Sequence, residues 1–120
     1  MPEPDLWETF FDPPKILAEL KLAADTKHVV EFGCGYGTFT IPPAQIVNGT
    51  VTSLEIDETR VDFTRQRSKR ALLANAKVIA TDFAQVGKHL PEGCADYVML
   101  FNILHGDKPE NLLHSAFHLL

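Results

Sequence analysis

Apolar residues recur along the chain with two rhythms, one suited to strands and one to helices. Val29-Val30-Glu31-Phe32 is a short β-branched and aromatic run, which predicts a buried strand beginning at Lys27 or His28. Thr50 to Ile56 alternates and is β-branched, predicting a second strand, and Lys77 to Ala80 predicts a short third. Ala95 to Phe101, with Tyr97, Val98, Met99 and Leu100, is apolar on both parities and predicts a fourth strand covered on both faces. Between the strands the spacing turns helical. Asp12-Pro13-Pro14 opens a helix, a capping acid followed by prolines where backbone N–H groups have no helical partner, and Ile16, Leu17, Leu20, Ala23 and Ala24 carry it to about Ala24. Pro42 and Pro43 confine the next helix to a stretch that starts near Thr40 and ends before Asn48-Gly49. Asp57 reads as the N-cap of a third helix with Glu58 in its first turn, an inner face of Val61, Thr64, Ser68, Ala71 and Leu72, and Asn75 at its close. Ala84 to Leu90 predicts a weak helical turn. From Lys108 or Pro109 onward, Leu112, Leu113, Ala116, Phe117 and Leu120 predict an amphipathic helix.

Helices and strands therefore alternate from end to end, which predicts an α/β fold with a parallel sheet and helices on both faces. In such sheets ligands bind outside the carboxyl ends of the strands, where the strand order reverses. The residues that follow each strand are the ones to inspect.

Composition narrows the class without naming it. The chain has 120 residues, 45% of them hydrophobic, and a net charge of −5, values of an ordinary water-soluble domain with little call for a nucleic-acid footprint. No run of 18 apolar residues occurs and the N-terminus is acidic, so neither a membrane span nor a secretory signal is expected. Two cysteines, Cys34 and Cys94, make neither a disulfide framework nor a metal pattern, and the simplest reading is a cytoplasmic, reduced protein.

The first strand runs into Gly33-Cys34-Gly35-Tyr36-Gly37. Glycines there allow a tight turn and a close backbone approach to a ligand. A dinucleotide fingerprint would be G-x-G-x-x-G, and here the third glycine comes one residue early. An acid, Glu31, stands two residues before the first glycine, where it suits a cationic ligand end and repels a pyrophosphate. Glu55 ends the second strand about 20 residues after the loop, where a carboxylate can accept both ribose hydroxyls. Asp57 competes for that role but fits better as a helix cap. Asp82 follows the third strand, where it can accept from an adenine amine or cap the next turn, and Phe83 can wall the ring.

These stretches resemble the motifs of the Rossmann-like S-adenosylmethionine-dependent methyltransferases. Glu31 to Gly37 is similar to motif I, E/D-x-G-x-G-x-G. Leu54-Glu55-Ile56-Asp57 is similar to the acidic end of strand 2, Thr81-Asp82-Phe83 to the adenine-contact segment, and Ala95 to Asn102 to the fourth-strand segment. The flavour is that of small-molecule enzymes related to ubiquinone and menaquinone biosynthesis. The resemblance covers nearly the whole chain and implies one domain over 1–120, a three-layer sandwich with parallel strand order 3-2-1-4, and residues 1–27 as a leading arm and helix. It implies S-adenosylmethionine as cofactor, held by Glu31, Gly33, Cys34, Gly35, Tyr36, Gly37, Glu55, Ile56, Asp82, Phe83 and Phe101. Asn102 and His105 would line the substrate side, with His105 the one nearby candidate for a base and no metal required. Trp7, Phe10 and Phe11 could close over the cofactor or pack the leading helix onto the sheet.

Two departures from the family pattern matter. The N/D-P-P-Y/F motif of amino-directed enzymes is absent, since Asn102 is followed by Ile103-Leu104, which favours a small-molecule acceptor. The strands that the family numbers 5 to 7 have no counterpart, so the chain is expected to be the N-terminal half of the family fold, either truncated at its C-terminal end or with the open edge of its fourth strand completed by a second copy or another chain. That leaves a non-catalytic S-adenosylmethionine- or nucleotide-binding module as the rival to an enzyme. An NAD-dependent oxidoreductase would need the glycine spacing that is lacking. The basic cluster Arg60, Arg65, Arg67, Lys69 and Arg70 reads as a solvated helix face, and Glu110, His114 and His118, at i, i+4 and i+8, as a polar exposed one without a fourth metal ligand.

Overall fold

A computed structural model describes residues 12–101 and 109–120, apart from the side chains of Phe83 and Ala84. Trp7, Phe10, Phe11, Asn102 and His105 lie outside the described residues. The elements are α1 (Pro13–Glu19), β1 (His28–Phe32), α2 (Ile41–Ile46), β2 (Thr50–Glu55), α3 (Glu58–Arg70), β3 (Ala76–Ala80), a 3-10 helix (Phe83–Lys88), β4 (Tyr97–Met99) and α4 (Pro109–Leu119). The four strands pair in parallel in the order β3-β2-β1-β4, as expected.

Chirality explains the layering. Moving from β1 to β2 to β3 in one direction with right-handed crossovers puts α2 and α3 on one face. Returning from β3 across to β4 reverses the direction and puts the 3-10 helix and then α4 on the other. The cores agree. Leu17, Leu22, Val29, Ala44, Val47, Val51 and Met99 form the core on the first face, and Cys34, Val61 and Val78 extend it under α3. Val30, Phe32, Leu54, Val86, Ala95 and Leu119 form the core on the second. The reversal falls between β1 and β4, so the crevice that binds ligands in such sheets opens above the glycine loop.

Several boundaries differ from the sequence expectation for identifiable reasons. Helix α1 stops at Glu19, not near Ala24. Lys21 takes the left-handed conformation (φ 65°), with Leu22 N–H on the Leu17 carbonyl (3.0 Å) and Lys21 N–H on that of Ala18 (3.1 Å). This is a Schellman end, and it folds Leu22 back into the core against Leu17. Helix α3 ends in the same way. Leu72 sits at φ 57°, and Leu73 N–H reaches the Ser68 carbonyl at 3.1 Å, which turns Leu72 out to 90% exposure instead of onto the inner face. Ala71 is exposed too, while Val61, Thr64 and Ser68 are buried as expected. Asn75 does not close the helix. Its amide donates to the carbonyls of Ala44 (3.0 Å) and Gly49 (2.8 Å) and ties β3 to the end of α2. Gly49 itself is required by contact, since a Cβ there would lie 1.9 Å from the Lys27 carbonyl oxygen.

Strand β4 is shorter than expected and only Met99 is fully buried in it, because it pairs with β1 alone and has no neighbour on its other side among the described residues. Helix α4 carries a wider apolar arc than one sheet face can cover. Leu112, Ala116 and Leu119 turn inward, whereas Leu113, Phe117 (75% exposed) and Leu120 turn outward. Its C-terminus is pinned by Gly93 and Ala95 N–H groups on the carbonyls of His118 (2.9 Å) and Leu119 (2.8 Å), which sets which half faces in.

A left-handed leucine at an exposed C-terminal position costs about 1 kcal/mol relative to glycine. Leu72→Gly is therefore expected to raise stability by roughly 0.5–1 kcal/mol. The gain should appear as a higher urea midpoint at unchanged slope. An unchanged or lower midpoint would contradict the cap assignment.

Candidate ligand site

The site is built where β1, β2 and β3 end. Strand register brings the first acid into place: Glu31 pairs with Ser53 on β2 and Met99 on β4, on the same face as Val29 and Val51. A slip of one residue would exchange Ser53 for Thr52 or Leu54 and turn the pairing inside out. Glu31 is buried (2% exposed). One of its oxygens, Oε1, accepts from both Ser53 Oγ (2.7 Å) and Thr40 Oγ1. Burial pushes the Glu31 carboxyl up from 4.5 to about 7. The two hydroxyls pull it back down in part, and the neighbouring Glu55 carboxylate pushes it further up.

Glu55 ends β2, also buried. Each of its oxygens accepts a backbone N–H: Oε1 from Gly35 (3.0 Å) and Oε2 from Asp57 (3.1 Å). Asp57 in turn caps α3 as its sequence position implies, accepting from Thr59 N–H (2.9 Å) and Arg60 N–H (3.3 Å). Ile56, between the two acids, is left exposed at the carboxyl end of β2.

Gly33, Gly35 and Gly37 all adopt positive φ (82°, 53° and 85°), and their N–H groups are all committed within the protein. Gly33 donates to the Leu54 carbonyl (2.7 Å), Gly35 to Glu55, and Gly37 to the Cys34 carbonyl (2.8 Å). The glycines thus shape the loop instead of offering it as a row of free donors. The carbonyls on the other side of the loop are held from α3. Thr64 Oγ1 donates to the Gly35 oxygen (2.9 Å) and Arg67 Nη1 to that of Tyr36 (3.1 Å). The Tyr36 ring meets Phe63 edge-on at 5.2 Å. Helical periodicity assigns Thr64 to the core and Arg67 to the solvated face, and so misses the part both play at the loop. The one signal for it in the sequence is a threonine on the buried face, where an aliphatic residue would serve.

Cys34 packs beside Val61 and Val78, and burial pushes its thiol up to about 12, so it stays protonated and unreactive at neutral pH. Asp82 is exposed and immediately precedes the 3-10 helix, its carbonyl accepting from Gln85 N–H at 2.9 Å. Phe83 opens that helix. Phe101 stacks on Phe39 (centroids 4.2 Å apart, 23° between planes), which joins the segment after β4 to the segment after β1 across the reversal point. Arg65, like Arg67, turns to a carbonyl, that of Val78 (2.8 Å), so two of the five basic side chains of α3 serve the fold. Glu110, His114 and His118 are exposed, and no group of three or more metal-ligating side chains occurs among the described residues. No described helix is long and apolar enough to cross a membrane.

The buried Glu31 carboxyl generates a pH signature. Glu31 binds its proton more tightly in the folded chain than in the unfolded one. Its stabilising contribution is complete below about pH 4.5 and is lost as pH rises towards about 7. Glu31→Gln removes this dependence. The stability of the variant relative to the parent should rise by about 3 kcal/mol between about pH 4.5 and pH 8 in urea titrations. Parallel stability profiles would contradict the burial of an ionisable Glu31.

A family model described as a methyltransferase domain matches residues 29–120. No curated protein sequence matches the chain. Among solved structures, a SAM-dependent methyltransferase from Aquifex aeolicus superposes with a TM-score of 0.81 at 23% identity, over 98% of this chain and 62% of that one. Coclaurine N-methyltransferase bound to N-methylheliamine and SAH gives 0.72 at 24%, over 86% and 30%. The [4+2]-cyclase SpnF gives 0.77 at 15%, over 89% and 40%. The chain thus spans under two thirds of the length of each of these proteins.

Proposed function

The chain belongs to the methyltransferase domain family, and from that premise we propose that it binds S-adenosylmethionine and transfers its methyl group to a small-molecule acceptor. The observation that carries the reading is Glu55. Its two oxygens are each fixed by one backbone N–H, which leaves the remaining lone pairs directed by the protein and able to accept both hydroxyls of a ribose. The exposed Ile56 beside it offers an apolar surface to an adenine, and Asp82 stands at the end of the next strand to accept from the exocyclic amine.

Charge supports the same ligand. Two buried acids, Glu31 and Glu55, flank the glycine loop, and a phosphate brought there would meet both. A ligand with a sulfonium and an ammonium suits that field, which is the physical argument against a dinucleotide. When bound, S-adenosylmethionine supplies an activated methyl group. The chain's part is to orient the ribose, keep the amino-acid end over the loop and align an acceptor with the methyl. Asn102 and His105, which follow β4 in sequence, are the acceptor-side candidates, His105 as a base if the acceptor must lose a proton.

A second reading has its own support. Strand β4 has no partner on its outer side among the described residues, and Leu113 and Phe117 on α4 and Leu120 just after it are exposed. A module that binds S-adenosylmethionine but turns over only when another copy or chain covers that edge would present these features. A superposed fold that carries a cyclase also warns that architecture alone does not set the reaction.

Calorimetric titration with S-adenosylhomocysteine, with NAD as control, tests the assignment. The expected result is saturable binding of S-adenosylhomocysteine, no binding of NAD, and a Glu55→Ala variant that binds at least about tenfold more weakly, as loss of a charge-assisted pair of hydrogen bonds implies. Tighter binding of NAD, or no binding of S-adenosylhomocysteine by the folded chain, would overturn it. Methyl transfer by the chain alone would remove the second reading.

A further inference from the structure

We propose that α3 is the element that positions the glycine loop: Thr64 and Arg67 hold the carbonyls of Gly35 and Tyr36 and so set the loop shape that receives the amino-acid end of the ligand. The inference rests on the ligand assignment above.

A loop with three glycines at positive φ has wide conformational freedom, and its own contacts, Gly37 N–H on the Cys34 carbonyl (2.8 Å) and the Cys34 thiol on the Gly35 carbonyl (3.6 Å), fix it only in part. The N–H groups of the three glycines go to Leu54, Glu55 and Cys34. The orientation of the peptide planes after Gly35 and Tyr36 then depends on what receives their carbonyls. Both carbonyls are received by α3, by side chains three residues apart, and the Gly35 oxygen takes the weaker Cys34 thiol as a second donor (3.6 Å). Gly35 is gripped at both ends, its N–H by Glu55 and its C=O by Thr64, so β2 and α3 together fix its position.

The approach is close. A Cβ on Gly37 would stand 3.2 Å from Thr64 Cγ2, so the threonine would have to give by a few tenths of an ångström, and the φ of 85° strains any side chain there. Thr64 is fully buried in the middle of a helix, where threonine is a poor helix former and valine would pack as well. A buried hydroxyl in a helix commonly returns to the carbonyl four residues back. This one crosses to the loop instead, at 2.9 Å, and that gives its polarity a use. Phe63 adds an edge contact to the Tyr36 ring. Phe63, Thr64 and Arg67 thus form a three-point clamp on loop residues 35 and 36.

Thr64→Val keeps the shape and removes the hydroxyl, Thr64→Ser keeps the hydroxyl, and Arg67→Met keeps much of the stem. Each is titrated with S-adenosylhomocysteine and with 5′-methylthioadenosine, which shares the nucleoside but lacks the amino-acid end. Thr64→Val is expected to bind S-adenosylhomocysteine about tenfold more weakly and methylthioadenosine within about twofold of the parent, with Thr64→Ser restoring the first. Arg67→Met should show the same split, smaller. In the ligand-free chain, amide exchange at Tyr36, Gly37 and Thr38 should accelerate in Thr64→Val and Arg67→Met, while exchange at β1 and β2 does not. Equal weakening of both ligands, or no weakening of either, would overturn the proposal, as would unchanged exchange in the loop. If the parent binds neither ligand, the functional reading fails, and the exchange measurement still decides whether α3 holds the loop.

Discussion

One carboxylate joins three parts of this molecule. Glu55 accepts the N–H of Gly35 on one oxygen and that of Asp57 on the other, so it ties the end of β2 to the glycine loop and to the start of α3 at once. Asp57 is free to cap α3 because its own N–H is held there. Helix α3, started at that point, then places Thr64 under the Gly35 carbonyl two turns later. The circuit from Glu55 through Asp57 and Thr64 back to Gly35 is closed by three polar contacts and the geometry of a helix. Each buried polar group within it has a partner, which is the condition for a buried network to stabilise instead of destabilise.

The second constraint is electrostatic. Placing two acids in the interior at one end of a sheet works against the fold, and burial raises the Glu31 carboxyl to about 7. Sites that retain such groups often use them. Here the hydroxyls of Ser53 and Thr40 compensate one oxygen of Glu31 but do not cancel the cost of burial. A cationic ligand end, such as the sulfonium and ammonium of the proposed cofactor, would relieve what remains. On that proposal the same pair of side chains burdens the fold and favours the ligand.

Much of this is legible in the order of the amino acids. Alternating hydrophobic periods lead to the parallel sheet, and chirality then determines which helices share a face. The acids Glu31 and Glu55 stand out because their spacing to the glycines reflects strand ends, and Asp57 because a cap has a local signature. What is not legible depends on contacts distant in sequence or on backbone states without a residue signal. Lys21 and Leu72 adopt left-handed caps that ordinarily call for glycine or asparagine, so apolar periodicity carries two helices past their true ends. Asn75 has the character of a helix terminator and is a clamp across α2. Helix α4 has two apolar stripes, and periodicity cannot say which of them a short edge strand will cover. Thr64 and Arg67 act on a loop about 30 residues earlier, a relation that no pattern within α3 reveals.

The proposed ligand, a nucleoside with an amino-acid end, would sit at the carboxyl ends of β1, β2 and β3, held by the circuit around Glu55. Residue-resolved amide chemical shifts during titration with S-adenosylhomocysteine test this placement most directly. Changes are expected at Gly33 to Gly37, at Glu55 to Asp57 and at Asp82, with His28, Thr50 and Ala76 at the opposite end of the strands unmoved. Shifts concentrated at that opposite end, or a titration that leaves the loop and Glu55 unchanged, would contradict it.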